Sequence, residues 1–371
     1  MVNTQRLIEN FKSIVSLDSP SHDERLVCEY VKDYLKKLGV EATEDNAGEK
    51  SGGTTGNLYA FIDGDSALEP LVFSAHMDTV EPAKGKCAVI HEDGKITSKG
   101  DTVLGSDDVA GIVSILEALT VIKENNLSHR PIELLFTVSE ETHCGGSAFF
   151  DYSRLKARQA YVFDMDGEIG GAASKAPTIL SYTAKFTGKS AHAAFAATEG
   201  IHAIKPAALA VSKIPCGAIA EGMTANVGVI QGGKATNIVP DLCEIKGEIR
   251  SFDDSKVMNS FKEVEEICKA SAEEFGAKCE IEYEIAVKAF NVENGSEVAV
   301  RFKDCCSKLG LSGELFATFG GSDNNVFAEH GVEGLVVATG MNNCHSVDEY
   351  TSVSELETAA KLALELMLNK N

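Results

Sequence analysis

Apolar positions along the chain follow two different periods, and the period changes twice. Near the N-terminus, Val27, Tyr30, Val31, Tyr34, Leu35 and Leu38 recur at helical spacing, and Gly39 fits the stop position of that helix. Ser21-x-x-Glu24 immediately before it predicts a capping box. Short apolar runs follow at Leu58–Ile62, Leu71–Ala75, Ile132–Val138 and Tyr161–Phe163. The last three are continuous rather than alternating, as expected of strands buried on both faces of a largely parallel sheet. A helix over about 109–122 lies between them, burying Ile112, Ile115, Leu116 and Leu119. This βαβ rhythm predicts an α/β/α sandwich.

Near Ile179 the rhythm changes. Strand (180–187), helix (201–213), strand (225–231), strand (242–251), helix (256–275) and strand (279–285) give the ferredoxin-like order β-α-β-β-α-β. Glu244 to Arg250 alternates polar and apolar, so one face of that sheet is expected to be wet. From Val292 the α/β rhythm resumes, with a helix around 296–309, a strand near 334–338 and a final helix near 355–368. The expected architecture is α/β: a discontinuous α/β/α domain with a mostly parallel sheet (1–178 and 288–371), interrupted by a ferredoxin-like α+β domain (179–287).

Composition narrows the function classes. The 371 residues carry 34 basic and 56 acidic side chains, a formal charge of −22. Such acidity disfavours nucleic acid and anionic membranes as partners. No apolar run approaches the roughly 18 residues that span a bilayer, and the first residues lack a signal-peptide apolar core, so the cytoplasm is the expected location. The ten cysteines are scattered without a CxxC pair and read as buried, reduced small hydrophobes.

Candidate chemistry sits where polar residues end apolar strands, because parallel sheets bind ligands beyond their carboxyl ends. Leu71–Ala75 runs into His76-Met77-Asp78, Ile132–Val138 into Ser139-Glu140-Glu141, and Tyr161–Phe163 into Asp164; Ser106-Asp107-Asp108 precedes a helix. Each could be an ordinary loop residue or helix cap. Together they would place several carboxylates at one sheet edge, where they repel one another unless a cation neutralises them. Mixed imidazole and carboxylate donors suit zinc, or else cobalt or manganese. Two ions roughly 3.5–4 Å apart could share one carboxylate.

On these residues the sequence resembles the co-catalytic dizinc peptidases that include peptidase T, aminoacylase and glutamate carboxypeptidase. The Phe73–Val80 string is similar to their HxDTV motif, Gly105–Gly111 to their GxDDxxG motif, Ser139–Ser147 to their EE…GS segment, and Gly340–Tyr350 to their C-terminal His motif. The motifs fall in family order over nearly the whole chain. Thr55–Leu58 and Gly232–Asp241 point to the branch of peptidase T-like tripeptide aminopeptidases.

That resemblance implies that His76 and Asp164 hold one zinc, Glu141 and His345 hold the other, and Asp107 bridges both. Asp166 is the alternative to Asp164. It implies that Asp78 orients His76, and that Glu140 is the general base toward a hydroxide held between the metals. It further implies a cis Asp107–Asp108 peptide, substrate contacts from His192, Asn237 and Arg250, and a Gly-rich turn at Gly320–Asn324 lining the cleft. Val109 and Ser106 depart from the Lys and Ala that relatives carry there, which implies tuning rather than loss.

The implied activity is metal-dependent hydrolysis of short peptides, removing an N-terminal residue from a tripeptide-like substrate. An N-acyl amino acid amidohydrolase, a dipeptidase or a carboxypeptidase would use the same scaffold, and a non-catalytic peptide-binding relative is a further alternative. Relatives dimerise through the inserted domain, which makes a homodimer an option here.

Overall fold

The computed structural model describes residues 1–196 and 198–370. The chain forms two compact units. One comprises Met1–Lys175, Asn291–Thr318 and Ser322–Asn371; the other comprises Ala176–Phe290 and Phe319–Gly321.

The first unit is built on a nine-stranded sheet. Its centre is parallel: Ile132–Thr137 pairs with Leu71–His76, which pairs with Gln159–Asp166, which pairs with Glu333–Met341. Antiparallel strands flank this centre, Leu58–Ile62 beside Ile132–Thr137 and Gly171–Ala176 beside Glu333–Met341. The Leu71–His76 and Ile132–Thr137 strands are buried at every position, which is why their sequences read as unbroken apolar runs. In register, His76 lies opposite Thr137, so both strands hand over to their loops at one edge.

The helix Ser106–Asn125 is buried continuously from Ser106 to Ile122. It packs against Leu71–His76, the C-terminal helix Val353–Leu368 and the first helix Thr4–Val15. Its Ile112, Ile115, Leu116 and Leu119 are fully buried, each worth about 1.5–3 kcal/mol of burial. A buried acid interrupts this apolar helix. Glu117 is satisfied by the Arg6 guanidinium at 2.7 and 2.9 Å and by the Asn3 N–H at 2.7 Å. Gly111 lets the helix approach the sheet, because a Cβ there would lie 2.2 Å from the Phe163 carbonyl oxygen. This rigid platform carries Asp107 at its first turn.

The second unit is a five-stranded antiparallel sheet. Its order is Gly217–Ala220, Met223–Gly232, Leu242–Ser251, Thr178–Thr187, Lys278–Val287. Apart from the short Gly217–Ala220 strand, which the sequence reading lacks, this is the ferredoxin-like arrangement. The helices Ile204–Lys213 and Asp254–Glu274 cover it with a core that includes Phe186, Ile245, Ile249, Phe261 and Cys268. Tyr283 and Val229 are exposed, in keeping with the alternating pattern. Among the described residues, no helix is long and apolar enough to cross a membrane.

Two local expectations are corrected. The Ser21-x-x-Glu24 capping box does not form: Arg25–Lys37 begins after Glu24 with no side-chain cap bond. The Ser21 hydroxyl instead donates to Asp78 at 2.7 Å, and Glu24 accepts from the Ser139 N–H at 3.0 Å. Both residues serve the sheet edge rather than the helix. The second correction concerns Asp164, which does not follow a strand end but lies within the strand Gln159–Asp166.

Candidate metal centre

Four segments of the first unit converge at the carboxyl edge of its parallel strands. His76 ends the Leu71–His76 strand; its side chain is 1 % exposed. Its Nδ1 lies 2.9 Å from the backbone carbonyl of Asp78, so Nδ1 carries the proton and donates it. Its Nε2 faces Asp107 Oδ1 at 2.9 Å and Asp164 Oδ1 at 3.6 Å, where a cation would take the place of the ring proton. A backbone acceptor on the far ring nitrogen, orienting the ring, is characteristic of metal-binding imidazoles.

Asp107 is the pivot. Its Oδ1 faces His76, and its Oδ2 lies 3.1 Å from His345 Nε2. His345 Nε2 also lies 3.0 Å from Glu141 Oε2. One carboxylate therefore offers one oxygen to each of two imidazoles, and each imidazole has a further carboxylate beside it. Asp107 and Asp108 are joined by a cis peptide and have non-helical dihedrals at the start of their helix. Asp108 is itself buried, accepting from the His76 N–H at 3.0 Å and the Gly111 N–H at 3.1 Å.

Two overlapping sets of donor atoms lie within metal-binding distance of one another: His76, Asp107 and Glu141, and His76, Glu140 and Asp164. Asp166 is exposed, two residues further along the strand from Asp164. Asp78 does more than adjoin His76. Its buried carboxylate accepts from the Glu140 N–H at 2.9 Å and the Glu141 N–H at 3.2 Å, so it sets the course of the adjacent acids.

The titration behaviour of the cluster reflects converging negative charge. Burial pushes Asp164 up to about 7, helped by Asp107 and Glu141. Burial and the neighbouring Asp164 hold the Glu140 carboxyl well above its usual range. Asp107 moves the other way: burial opposes its charge, but the His345 and His76 imidazoles outweigh it. Hydrogen bonds to Asp107 and Glu141 raise His345 to about 10. Crowded carboxylates, with protons held on the imidazoles between them, mark positions where a divalent cation would displace those protons and neutralise the acids. The donors also fit: Glu141 Oε1 is buried without a hydrogen-bond partner among the described residues, and a cation would satisfy it.

Around Glu140, the Cys144 thiol donates to Oε1 at 3.5 Å. Gly146 must be glycine for this turn, since a Cβ would lie 2.1 Å from the Val138 carbonyl oxygen. Beneath lies Asp323, buried and accepting from the Thr137 and Ser147 hydroxyls. The Gly-rich turn divides between the two units, with Phe319–Gly321 in the second and Ser322 onward in the first.

The other three predicted residues lie in the second unit. His192 is exposed; its Nδ1 accepts from the Ala194 and Phe195 N–H groups at 3.2 and 3.4 Å, which puts the proton of the neutral ring on Nε2. Asn237 is exposed, with its backbone carbonyl accepting from Ala193. Arg250 is tied to Glu248 through two bonds of 3.0 Å and donates to the Phe319 carbonyl at 2.7 Å.

Sequence reasoning missed Glu24, Asp323 and Glu349 as supports of this edge, and it placed Asp108 beside the site without predicting that it would hold the His76 N–H. Glu349 follows His345 by four residues in an acidic turn that reads as solvated. Glu24 was hidden by its resemblance to a helix cap. No local signal marks Asp323 as buried.

Comparison with known proteins agrees with this geometry. A tripeptidase from Staphylococcus aureus superposes with a TM-score of 0.95 at 32 % identity, covering 99 % of this chain and 98 % of that one. An aminopeptidase PepT from Bacillus cereus superposes at 0.91 with 35 % identity over 99 % and 98 %. A dinuclear metal binding peptidase of family M20 from Bacillus subtilis shares the fold, at a TM-score of 0.72 and 15 % identity over 98 % and 97 %. Residues 72–369 match peptidase family M20/M25/M40, a span that contains His76, Asp107, Glu140, Glu141, Asp164 and His345, and the chain belongs to that family of metal-dependent peptidases.

Proposed function

We propose that the protein is a tripeptide aminopeptidase that uses two divalent ions, zinc in the first instance, with cobalt or manganese fitting the same donors. The observation that carries this is Asp107, one oxygen toward His76 and the other toward His345. His76, Asp107 and Asp164 would hold one ion, and Asp107, Glu141 and His345 the other. When bound, such ions lower the pKa of water and polarise a carbonyl.

The chain's own groups then have distinct tasks. Glu140 offers a carboxylate oxygen within reach of His76 and Asp164, and burial beside Asp164 holds its carboxyl above its usual range, which makes it a stronger base than an ordinary carboxylate. It is suited to take a proton from the attacking water and give it to the leaving amine nitrogen. Asp78 fixes Glu140 and Glu141 through their N–H groups and His76 through its own carbonyl. Cys144 fixes one Glu140 oxygen, leaving the other for the proton. We assign His192, Asn237 and Arg250 to substrate contact. Nε2–H of His192 would meet negative charge developing on the carbonyl oxygen, and Arg250 the substrate carboxylate. Homodimerisation through the inserted domain and a cytoplasmic location complete the reading.

A panel of free, N-acetylated and C-amidated tripeptides tests it. An aminopeptidase cleaves the free and C-amidated peptides and loses the N-acetylated one. Retained cleavage of the N-acetylated peptide would contradict the reading in favour of an amidohydrolase or carboxypeptidase.

A further inference from the structure

We infer that Glu349 is a positioning residue that sets the spacing between Asp107 and His345, and so governs one of the two metal positions more than the other. The inference rests on the two-ion reading above.

Glu349 is 1 % exposed. Its Oε2 accepts from the Gly105 N–H at 2.7 Å, and its Oε1 accepts from the Ser106 hydroxyl at 2.6 Å and the Asp107 N–H at 3.0 Å. Three donors from consecutive residues thus close on one carboxylate. The same residue belongs to the loop that presents His345. That loop is closed at its base by paired hydrogen bonds between Asn342 and Tyr350, and tightened by a bond from the Glu349 N–H to the Ser346 carbonyl. One side chain therefore ties together two loops remote in sequence, one bearing Asp107 and the other His345. Ser106, where the resembled family carries Ala, supplies the third donor.

The two imidazoles depend on this tie unequally. His76 sits at the end of a buried strand, its N–H is held by Asp108 and its ring by Asp78. His345 sits on a loop with φ +62° and a side chain 56 % exposed. If the tie is cut, the Asp107, Glu141 and His345 position should loosen while the His76, Asp107 and Asp164 position is still held by the strand. Removing a partner that orients a metal-binding side chain weakens metal affinity by about 10- to 100-fold.

Glu349→Gln keeps the size of the side chain but turns one acceptor into a donor facing an N–H. Cobalt(II) titration of the metal-free protein, followed by calorimetry and the visible Co(II) absorption, reads both sites. In the parent we expect two ions. In E349Q we expect one ion bound as in the parent and the other about 10- to 100-fold more weakly, with an altered visible band. Ser106→Ala removes one bond of the three and should weaken the same ion by a smaller factor; it decides the matter if E349Q does not fold. Two ions bound as in the parent, or both weakened equally, would overturn the role of Glu349. A parent that binds fewer than two ions would instead overturn the two-ion reading itself.

Discussion

The two units place charge in opposite ways. At the sheet edge of the first unit, most of the polar side chains are buried or half-buried and engaged by one another. Asp78, Asp108, Glu349 and Asp323 accept from N–H or hydroxyl groups, while His76 and Asp107 face each other. In the inserted unit the candidate residues are exposed or satisfied within their own strand, as Arg250 is by Glu248. Burying a carboxylate costs several kcal/mol unless it is paired, so the acids of the first unit need a function to explain them. The polar residues of the inserted sheet need none. The difference favours the first unit as the place of the metal chemistry and is consistent with the proposed role of the second in contacting the substrate.

Removing the proton carrier should have the largest effect. Glu140→Gln is expected to lower kcat by about 10²–10⁴-fold with both ions retained. A kcat near that of the parent would take Glu140 out of the reaction. Next comes His345→Ala, which should cost one ion per chain by elemental analysis and most of the activity; two ions held as tightly as in the parent would refute its place in the site.

Phe186→Ala separates the units. Phe186 is fully buried in the core of the inserted unit, so the change should destabilise that unit by about 3–5 kcal/mol while metal content stays at the parent value. Lost metal would show that the two units are not independent. The smallest effect is expected from Arg250→Ala. A hydrogen bond to a charged group is worth about 1.5–3 kcal/mol, and part of that is offset because Arg250 must leave Glu248. A rise in KM of about tenfold is expected for free tripeptides and none for C-amidated ones. An equal rise for both would remove the carboxylate contact.

Much of this was legible in the chain, and the reason is physical. Strands buried on both faces, such as Leu71–His76, leave polar residues nowhere to go but the ends, so His76 and Glu140 stood out against apolar runs. The ferredoxin-like unit was legible because its strands alternate. Its short Gly217–Ala220 strand was not, because Gly-Ala-Ile-Ala has neither an alternating pattern nor β-branched bulk beyond Ile219. The supports of the site were hidden for another reason. Ser21 and Glu24 have the spacing of a helix cap, and their actual partners, Asp78 and Ser139, lie 57 and 115 residues away. Glu349 sits in a turn of polar residues, and nothing local distinguishes a solvated acid from one that gathers three donors from a loop some 240 positions earlier. The candidate ligands were readable as interruptions; their supports are long-range contacts that become visible only in the fold.

Anomalous scattering from crystals of the metal-loaded protein tests the central claim most directly. Two peaks are expected, roughly 3.5–4 Å apart, on either side of the Asp107 carboxylate, one beside His76 and Asp164 and the other beside His345 and Glu141. A single peak, or peaks elsewhere in the molecule, would contradict the account.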